Sequence, residues 1–275
     1  MKRLILALGI AAALSQALFA GTDSDFDGVA DADDRCPATP FDLAVSADGC
    51  PIPKESQTPV SLLVGVGTTY ATGTYGGTDT IDSLSTELSA TLYAGNFYAS
   101  AVTAYYFRGA YDPTVAGDDN GGISDTFLGA GYMFTPAEHL YLTPGIFVKL
   151  ATAAKGMGTG ENDYGTSLQA LYRFEKSDVF VQYGYTVTGD SSTVTYRDVS
   201  YGSVGAGYYP NPQSYLSLSY DVSQAYEPGF EDLESLSFFG IFTLYDTLSL
   251  RINYSYGLSD SASDHLVSAM LLKRF

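Results

Sequence analysis

The chain has 275 residues, including 23 Tyr, 15 Phe and 29 Gly but no Trp, and its formal net charge is −18 at pH 7. The acidity argues against the basic surface that binding to nucleic acid requires, so no nucleic-acid partner is expected. The binding of cations is compatible with this negative charge. The abundance of Tyr, Gly, Ser and Thr favours strands joined by tight turns.

Residues 1–20 are predicted to be a secretory signal peptide. Lys2 and Arg3 give a basic start, and a short apolar core runs from Leu4 to Leu14. The core is too short to span a bilayer, and the small residues after it favour cleavage after Ala20. We therefore expect the mature chain to begin outside the cytoplasm.

Residues 21–53 form an acidic segment, and a polar linker, KESQTP, follows at residues 54–59. Residues 23–34 of the segment read DSDFDGVADADD, a spacing at which oxygen ligands converge on one cation when the chain turns at Gly28. The candidate ligands are Asp23, Asp25, Asp27, the Val29 carbonyl oxygen, Asp31 and Asp34. Calcium suits this set because it takes about six to eight oxygens with flexible geometry. The alternative is a disordered acidic tail.

The chain has two cysteines, Cys36 and Cys50. A close pair in an exported chain predicts a disulfide. The run DSDFDGVADADDRCP at 23–37 resembles the thrombospondin type 3 repeat, and the resemblance extends through DGCP at 48–51. That family binds calcium and is braced by a disulfide, so the resemblance implies both features here.

From residue 60 to residue 275 the sequence changes to runs in which apolar and polar residues alternate, as in DTLSLRINYSYG at 246–257. Alternation with period two predicts strands with one apolar and one polar face. The predicted strands are 60–71, 83–95, 97–108, 123–134, 140–151, 164–175, 178–188, 198–209, 213–224, 233–244, 246–257 and 264–275. Short turns alternate with longer loops, which is typical of outer-membrane barrels.

The sequence therefore predicts an all-β fold, a 12-stranded antiparallel transmembrane β-barrel at residues 60–275 with a short N-terminal calcium-binding loop module. Such a barrel would lie in the outer membrane, with the N-terminal module in the periplasm. A terminal aromatic, here Phe275, resembles the assembly signal that the barrel assembly machinery reads in such proteins. The soluble alternative, a secreted β-sandwich, explains the alternating turn lengths poorly.

Acidic residues recur in the predicted long loops. We expect these residues to lie in solvated loops, where divalent ions would bridge them to lipopolysaccharide phosphates. These residues are Asp79, Asp82, Asp112, Asp118, Asp119, Glu161, Asp163, Glu227, Glu231 and Asp232.

A second resemblance covers most of residues 60–275. The run KLATAAKGMGTGENDYGTSLQALYRFEKSDVFVQYGYTVTGD, followed by YRDVSYGSVGAGY, is similar to the outer-membrane family associated with meta-pathway phenol degradation. The run SLSFFGIFTLYDTLSLRINYSYGLSDSASDH and the terminal KRF are similar to that family's last two hairpins. The resemblance implies passage of small, often hydrophobic, compounds across the outer membrane.

Pointing the apolar face of each strand outward leaves a polar set inside the barrel. Its charged members are Glu87, Lys149, Arg173, Asp221 and Arg251, and Gln169, Gln182 and Asn253 accompany them. Both signs are present, so strong selection by charge is not predicted. The set could pair and close a narrow barrel, or it could line a pore. Inward Leu63, Phe147, Phe180 and Phe239 would suit a small amphipathic solute rather than a wide aqueous channel.

The chain is not predicted to be an enzyme. A barrel hydrolase needs a nucleophile with a histidine base, and the two histidines are His139 in a short turn and His265 at the outer end of the last strand. The leading hypothesis is passive uptake of small compounds, hydrophobic or aromatic ones among them. The alternative is a closed barrel that anchors the calcium-braced repeat for a periplasmic partner. The oligomeric state stays open.

Overall fold

The computed structural model describes residues 29, 34–36, 39, 45–52, 60–75, 77, 79–108, 121–154, 160–190 and 195–275. The chain divides into two compact units, Met1–Thr58 and Pro59–Phe275. The predicted signal peptide, the linker at 54–59 and the loop acids Asp112, Asp118 and Asp119 lie outside the described residues. So do the candidate ligands Asp23, Asp25, Asp27 and Asp31.

Within the part of the chain that the structure describes, no helix is both long enough and apolar enough to cross a membrane.

In the first unit, Cys36 and Cys50 form the predicted disulfide, with their Cα atoms 4.9 Å apart. The bond joins residues separated by 14 positions and so restricts the unfolded chain. An antiparallel bridge between Val45 and Pro51 lies beside it.

The second unit is a closed antiparallel sheet. Its strands are β1 Val60–Gly73, β2 Ile81–Ala94, β3 Phe97–Arg108, β4 Gly122–Ile123, β5 Thr126–Tyr132, β6 Phe134–Ala137, β7 Leu140–Leu150, β8 Asp163–Arg173, β9 Ser177–Val187, β10 Val199–Asn211, β11 Ser214–Ser223, β12 Leu233–Tyr245, β13 Leu248–Gly257 and β14 His265–Arg274. Strands β4 and β5 both pair with β3, and β5 and β6 both pair with β7. The short strands β4, β5 and β6 therefore occupy a single strand position between β3 and β7. Among the described residues the barrel therefore has twelve strand positions, and β1 pairs with β14 to close it. The predicted 12-stranded antiparallel barrel is confirmed, and the calcium-binding module stays a prediction.

One predicted strand, 123–134, is divided in the structure. The division begins at Ser124, whose hydroxyl oxygen accepts the Ala104 N–H at 3.0 Å in place of a backbone carbonyl. The other predicted runs overlap the observed strands and differ at their ends, where local pattern is least informative.

Residues that are direct partners in a sheet point to the same face, so the register shows which residues line the barrel. Gly67 of β1 pairs with Met270 of β14 and with Glu87 of β2, which places all three on the inward face. The alternate residues Val64 and Val66 are exposed on the outer surface. Apolar residues thus face outward along β1, as the alternation predicts.

A repeated contact marks the outer surface at the end with the long loops. In each case a tyrosine contacts the residue two positions before its direct partner on the next strand. The pairs are Tyr70 with Asp82 at 3.1 Å, Tyr185 with Asp198 at 2.8 Å, Tyr220 with Glu234 at 2.8 Å and Tyr254 with His265 at 3.0 Å. Tyrosine suits a position where the ring meets lipid and the hydroxyl meets water.

Candidate functional site: the barrel interior

The inward face carries an ion pair between distant strands. The Arg251 guanidinium on β13 lies 3.2 Å from the Glu87 carboxylate on β2. One row of direct partners, with Met270 and then Gly67 between them, joins the two residues. Because Gly67 has no side chain, the side chains of Arg251 and Glu87 can contact each other over Gly67 on the lumen side of the barrel wall.

A second charged cluster lies near the long loops. The Lys149 ammonium group forms ion pairs with Asp163 and, at 3.8 Å, with Asp125. Asp125 also accepts the Ala153 N–H at 3.0 Å, and Asp163 accepts the Gly189 N–H at 2.9 Å. These hydrogen bonds hold the backbone at Ala153 and at Gly189, at the ends of two loops, against the barrel wall.

The prediction that Asp163 is a solvated loop acid is wrong. Asp163 begins β8 and is only 2% exposed. Its ion pair with Lys149 explains the burial, because a buried carboxylate needs a cation or hydrogen-bond donors.

A third cluster lies near the short turns. Arg173 and Asp178 are direct partners, and the guanidinium lies over the Tyr141 and Tyr209 rings, 5.1 and 5.6 Å from their centroids. The Tyr215 hydroxyl donates to Asp178 Oδ1 at 3.1 Å. Asp178 is 1% exposed. Tyrosines thus surround the charged groups at this end of the interior.

Several inward aromatic rings lie over glycines of the adjacent strand. Phe147 is the direct partner of Gly165, and a Cβ added to Gly165 would overlap the Phe147 ring. The same arrangement pairs Phe180 with Gly205, Tyr201 with Gly184 and Tyr98 with Gly131. The absence of a glycine side chain gives each ring room beside the wall, and the ring then projects less into the lumen.

Polar groups occupy much of the remaining inward face, and they stay partly exposed. The amide side chains of Gln169 and Gln182 are direct partners, and Asn253 pairs with Phe239 and Ser268. Asp221 pairs with serines on both sides.

The described residues of the barrel do not form a large apolar core. Among the described residues, the buried hydrophobic side chains are Ala71, Val199, Ala225, Ala262, Met270 and Leu272. Phe127 points inward as the direct partner of Lys149 and is still 45% exposed. A packed interior would bury such residues, because protein cores have few voids larger than a water molecule.

The register places each charged residue of the predicted lumen set on the inward face. Glu87 and Arg251 meet, Lys149 lies in the loop-side cluster, Arg173 lies in the turn-side cluster and Asp221 lies among serines. Whether they act on a solute stays a prediction.

The remaining candidate residues lie away from the lumen. His265 is on the outer surface, with its ring between Tyr254 and Tyr256. His139 has a positive φ of 66° in a short turn, and Glu138 lies 3.5 Å from its ring. Phe275 is exposed, and its backbone N–H donates to the Leu62 carbonyl oxygen at 2.8 Å, which extends the seam with β1.

Two of the candidate calcium ligands, Val29 and Asp34, are described by the structure. Asp34 Oδ1 accepts the Cys36 N–H at 2.8 Å. Asp34 Oδ2 is buried and has no hydrogen-bond partner among the described residues. A buried carboxylate oxygen without a donor is costly, so Asp34 fits the role of a cation ligand.

Sequence reasoning did not assign several inward residues, among them Asp125, Asp178 and Phe127. The alternation continues through Asp178 and Phe180, so parity alone could have placed Asp178 inside. No local pattern could have shown that glycines face the aromatic rings, because that depends on which strands pair and in which register.

Solved outer-membrane channels share this fold. The COG4313 outer membrane channel from Pseudomonas putida F1 has a TM-score of 0.64 at 13% identity, over 82% of this chain and 99% of that chain. The NanC porin has a TM-score of 0.54 at 11% identity, over 76% of this chain and 97% of that one. The KdgM porin has a TM-score of 0.53 at 9% identity, over 77% and 99%. At these identities the likeness shows the fold alone.

No protein-family model matches the chain, and no curated protein matches it. Neither family resemblance drawn from the sequence gains support from these two comparisons.

Proposed function

We propose that the protein is an outer-membrane channel for passive uptake of small solutes. The observation that carries the proposal is the interior of the barrel, where polar groups stay partly exposed and aromatic rings lie over glycines. A barrel that served only as an anchor would be expected to fill its interior with packed side chains. The likeness in fold to outer-membrane channels and porins supports the same function.

The outward apolar faces support an outer-membrane location, with lipid and lipopolysaccharide around the barrel. Small compounds with hydrophobic or aromatic parts are the solutes to test first, because Phe127, Phe147 and Phe180 line the interior.

Calcium binding by the N-terminal unit, on the periplasmic side, is the second part of the proposal. The buried Asp34 Oδ2 and the disulfide beside it support this role. When bound, calcium would be held by Asp34 together with the other candidate oxygens, and it would neutralise their mutual repulsion.

Reconstitution tests the channel function. In planar bilayers the full-length mature protein should give stepwise conductance, and proteoliposomes that contain it should swell in isotonic sugar. Absence of both conductance and solute flux would overturn the channel and leave the closed anchor as the remaining function. Deletion of residues 21–53 should leave conductance in place, because the proposed pore lies within the barrel.

A further inference from the structure

One side of the lumen is rich in hydroxyl groups. On β10–β13 the inward face carries a patch that we call the serine wall, formed by Ser203, Ser219, Asp221, Ser235, Ser237 and Ser255. Ser219, Ser237 and Ser255 are successive partners in one row. Ser203, Asp221 and Ser235 form the adjacent row.

Asp221 is the charged residue of the serine wall, and its described side-chain contact is a hydroxyl. Ser219 Oγ donates to Asp221 Oδ2 at 3.1 Å. Glu87, by contrast, forms an ion pair with Arg251. A carboxylate offers about four acceptor positions, so the partly exposed Asp221 keeps capacity to accept hydrogen bonds from the lumen.

Aromatic rings also lie on the opposite side of the lumen. In the closed sheet, β3 and β5 lie halfway round from β11 and β12 in either direction, so they face the serine wall. Their side of the barrel carries the inward rings of Tyr106, Phe127 and Phe147, which we call the aromatic wall. The ring centroids of Phe127 and Phe147 are 6.4 Å apart.

We infer that the channel favours uncharged solutes with an apolar face on one side and hydroxyl groups on the other. The apolar face packs against the aromatic wall, and the hydroxyl groups donate to Asp221 and exchange hydrogen bonds with the serines. A carboxylate on the solute is disfavoured, because Asp221 repels it. This inference rests on the proposed channel function and adds the solute class.

Current block by phenyl glucoside tests the inference, because this neutral solute has an aromatic face and a hydroxyl edge. In planar bilayers with the full-length mature protein, phenyl glucoside should block the open channel at lower concentration than glucose does. Phenyl glucuronide, the matched anion, should block less well than phenyl glucoside.

Substitutions locate the site. Asp221→Leu should raise the apparent dissociation constant for block by phenyl glucoside about fivefold, as expected when one hydrogen bond is lost. Asp221→Asn, which keeps an acceptor oxygen, should raise it less. Ser237→Ala should also weaken the block, whereas Ser268→Ala, which removes an inward serine of β14 outside both walls, is the matched control that should leave it unchanged.

The outcomes separate the two proposals. If the channel conducts but phenyl glucoside blocks no better than glucose, the solute class is wrong while the channel stands. An unchanged constant in Asp221→Leu would overturn the role of the serine wall. If the protein does not conduct at all, the channel function itself is wrong.

Discussion

The guanidinium of Arg251 lies 3.2 Å from the carboxylate of Glu87, although two strands separate β13 from β2. Met270 and Gly67 occupy the row between them. A Cβ added to Gly67 would lie 2.7 Å from the Met270 Cβ, so this wall is closely packed below the ion pair. The contact thus links four neighbouring strands across the seam where the barrel closes.

Arg251→Met would leave the Glu87 carboxylate without its cation. We expect the free energy of unfolding to fall by about 1 kcal/mol, a modest loss because both side chains keep contact with solvent. Urea titration in lipid vesicles, followed by circular dichroism, measures this change. Glu87→Gln in the Arg251→Met background should cost less than Glu87→Gln alone, and strictly additive losses would contradict the coupling.

Gly165→Ala should push the Phe147 ring into the lumen, because the added Cβ overlaps that ring. We expect single-channel conductance to fall, and the double variant with Phe147→Ala should recover it. Gly202→Ala on the outward face of β10 is the control for replacing a strand glycine, since its added Cβ lies 3.3 Å from the Gln182 carbonyl oxygen and meets no ring. Equal conductance in Gly165→Ala and Gly202→Ala would show that the ring is not held by the glycine.

Lys149→Met would leave Asp125 and Asp163 buried near each other without a cation. Breaking a buried pair in this way is expected to cost about 3 kcal/mol of unfolding free energy. Asp163→Asn in the same background should restore part of the loss, because it removes one charge. Lys273→Met, at an exposed position, should cost little, and a similar loss there would argue against a specific role for the cluster.

Asp34→Asn tests calcium binding in the full-length mature protein. We expect weaker binding in isothermal titration calorimetry, because the amide removes the charge from Asp34 Oδ2, which has no hydrogen-bond partner among the described residues. Reduction of the Cys36–Cys50 bond should weaken binding as well. Asp246→Asn, at an exposed position in a short turn, should bind calcium as the parent does. Unchanged affinity in Asp34→Asn would remove this residue from the ligand set.

The pKa of Asp48 is lowered from its ordinary value of 3.8, chiefly by the Ser46 hydroxyl that donates to it and also by the Arg35 charge. Because folding lowers this pKa, the stabilising contribution is present above 3.8 and is lost as the pH falls through the lowered value. NMR titration with labelled aspartate should give a pKa below 3.8. Ser46→Ala should raise the pKa more than Arg35→Met does, and the reverse order would contradict the assigned cause.

The alternation of apolar and polar residues along the chain is sufficient to predict most of the strands. The alternation in β11 and β13 identifies strands and their outward faces, since side chains of a strand point to opposite sides in turn. The same parity selected the five charged residues of the interior. The alternation does not predict the break in the strand at Ser124, where the side chain accepts a backbone hydrogen bond. It also does not predict that Asp163 begins a strand, because the sequence around Asp163 resembles a loop.

Most of the strands, their inward and outward faces, the turn lengths and the Cys36–Cys50 disulfide can be predicted from the sequence, because each depends on residues that are close along the chain. The contacts between inward residues of different strands depend on the closed barrel and cannot be predicted in this way. Glu87 and Arg251 are 164 positions apart, and their contact depends on the closure of the sheet and on the register of three strand pairs. The glycines below the aromatic rings and the serine wall opposite Phe127 arise in the same way. Register is set jointly by all the pairings around a closed barrel, and no single segment of the sequence specifies it.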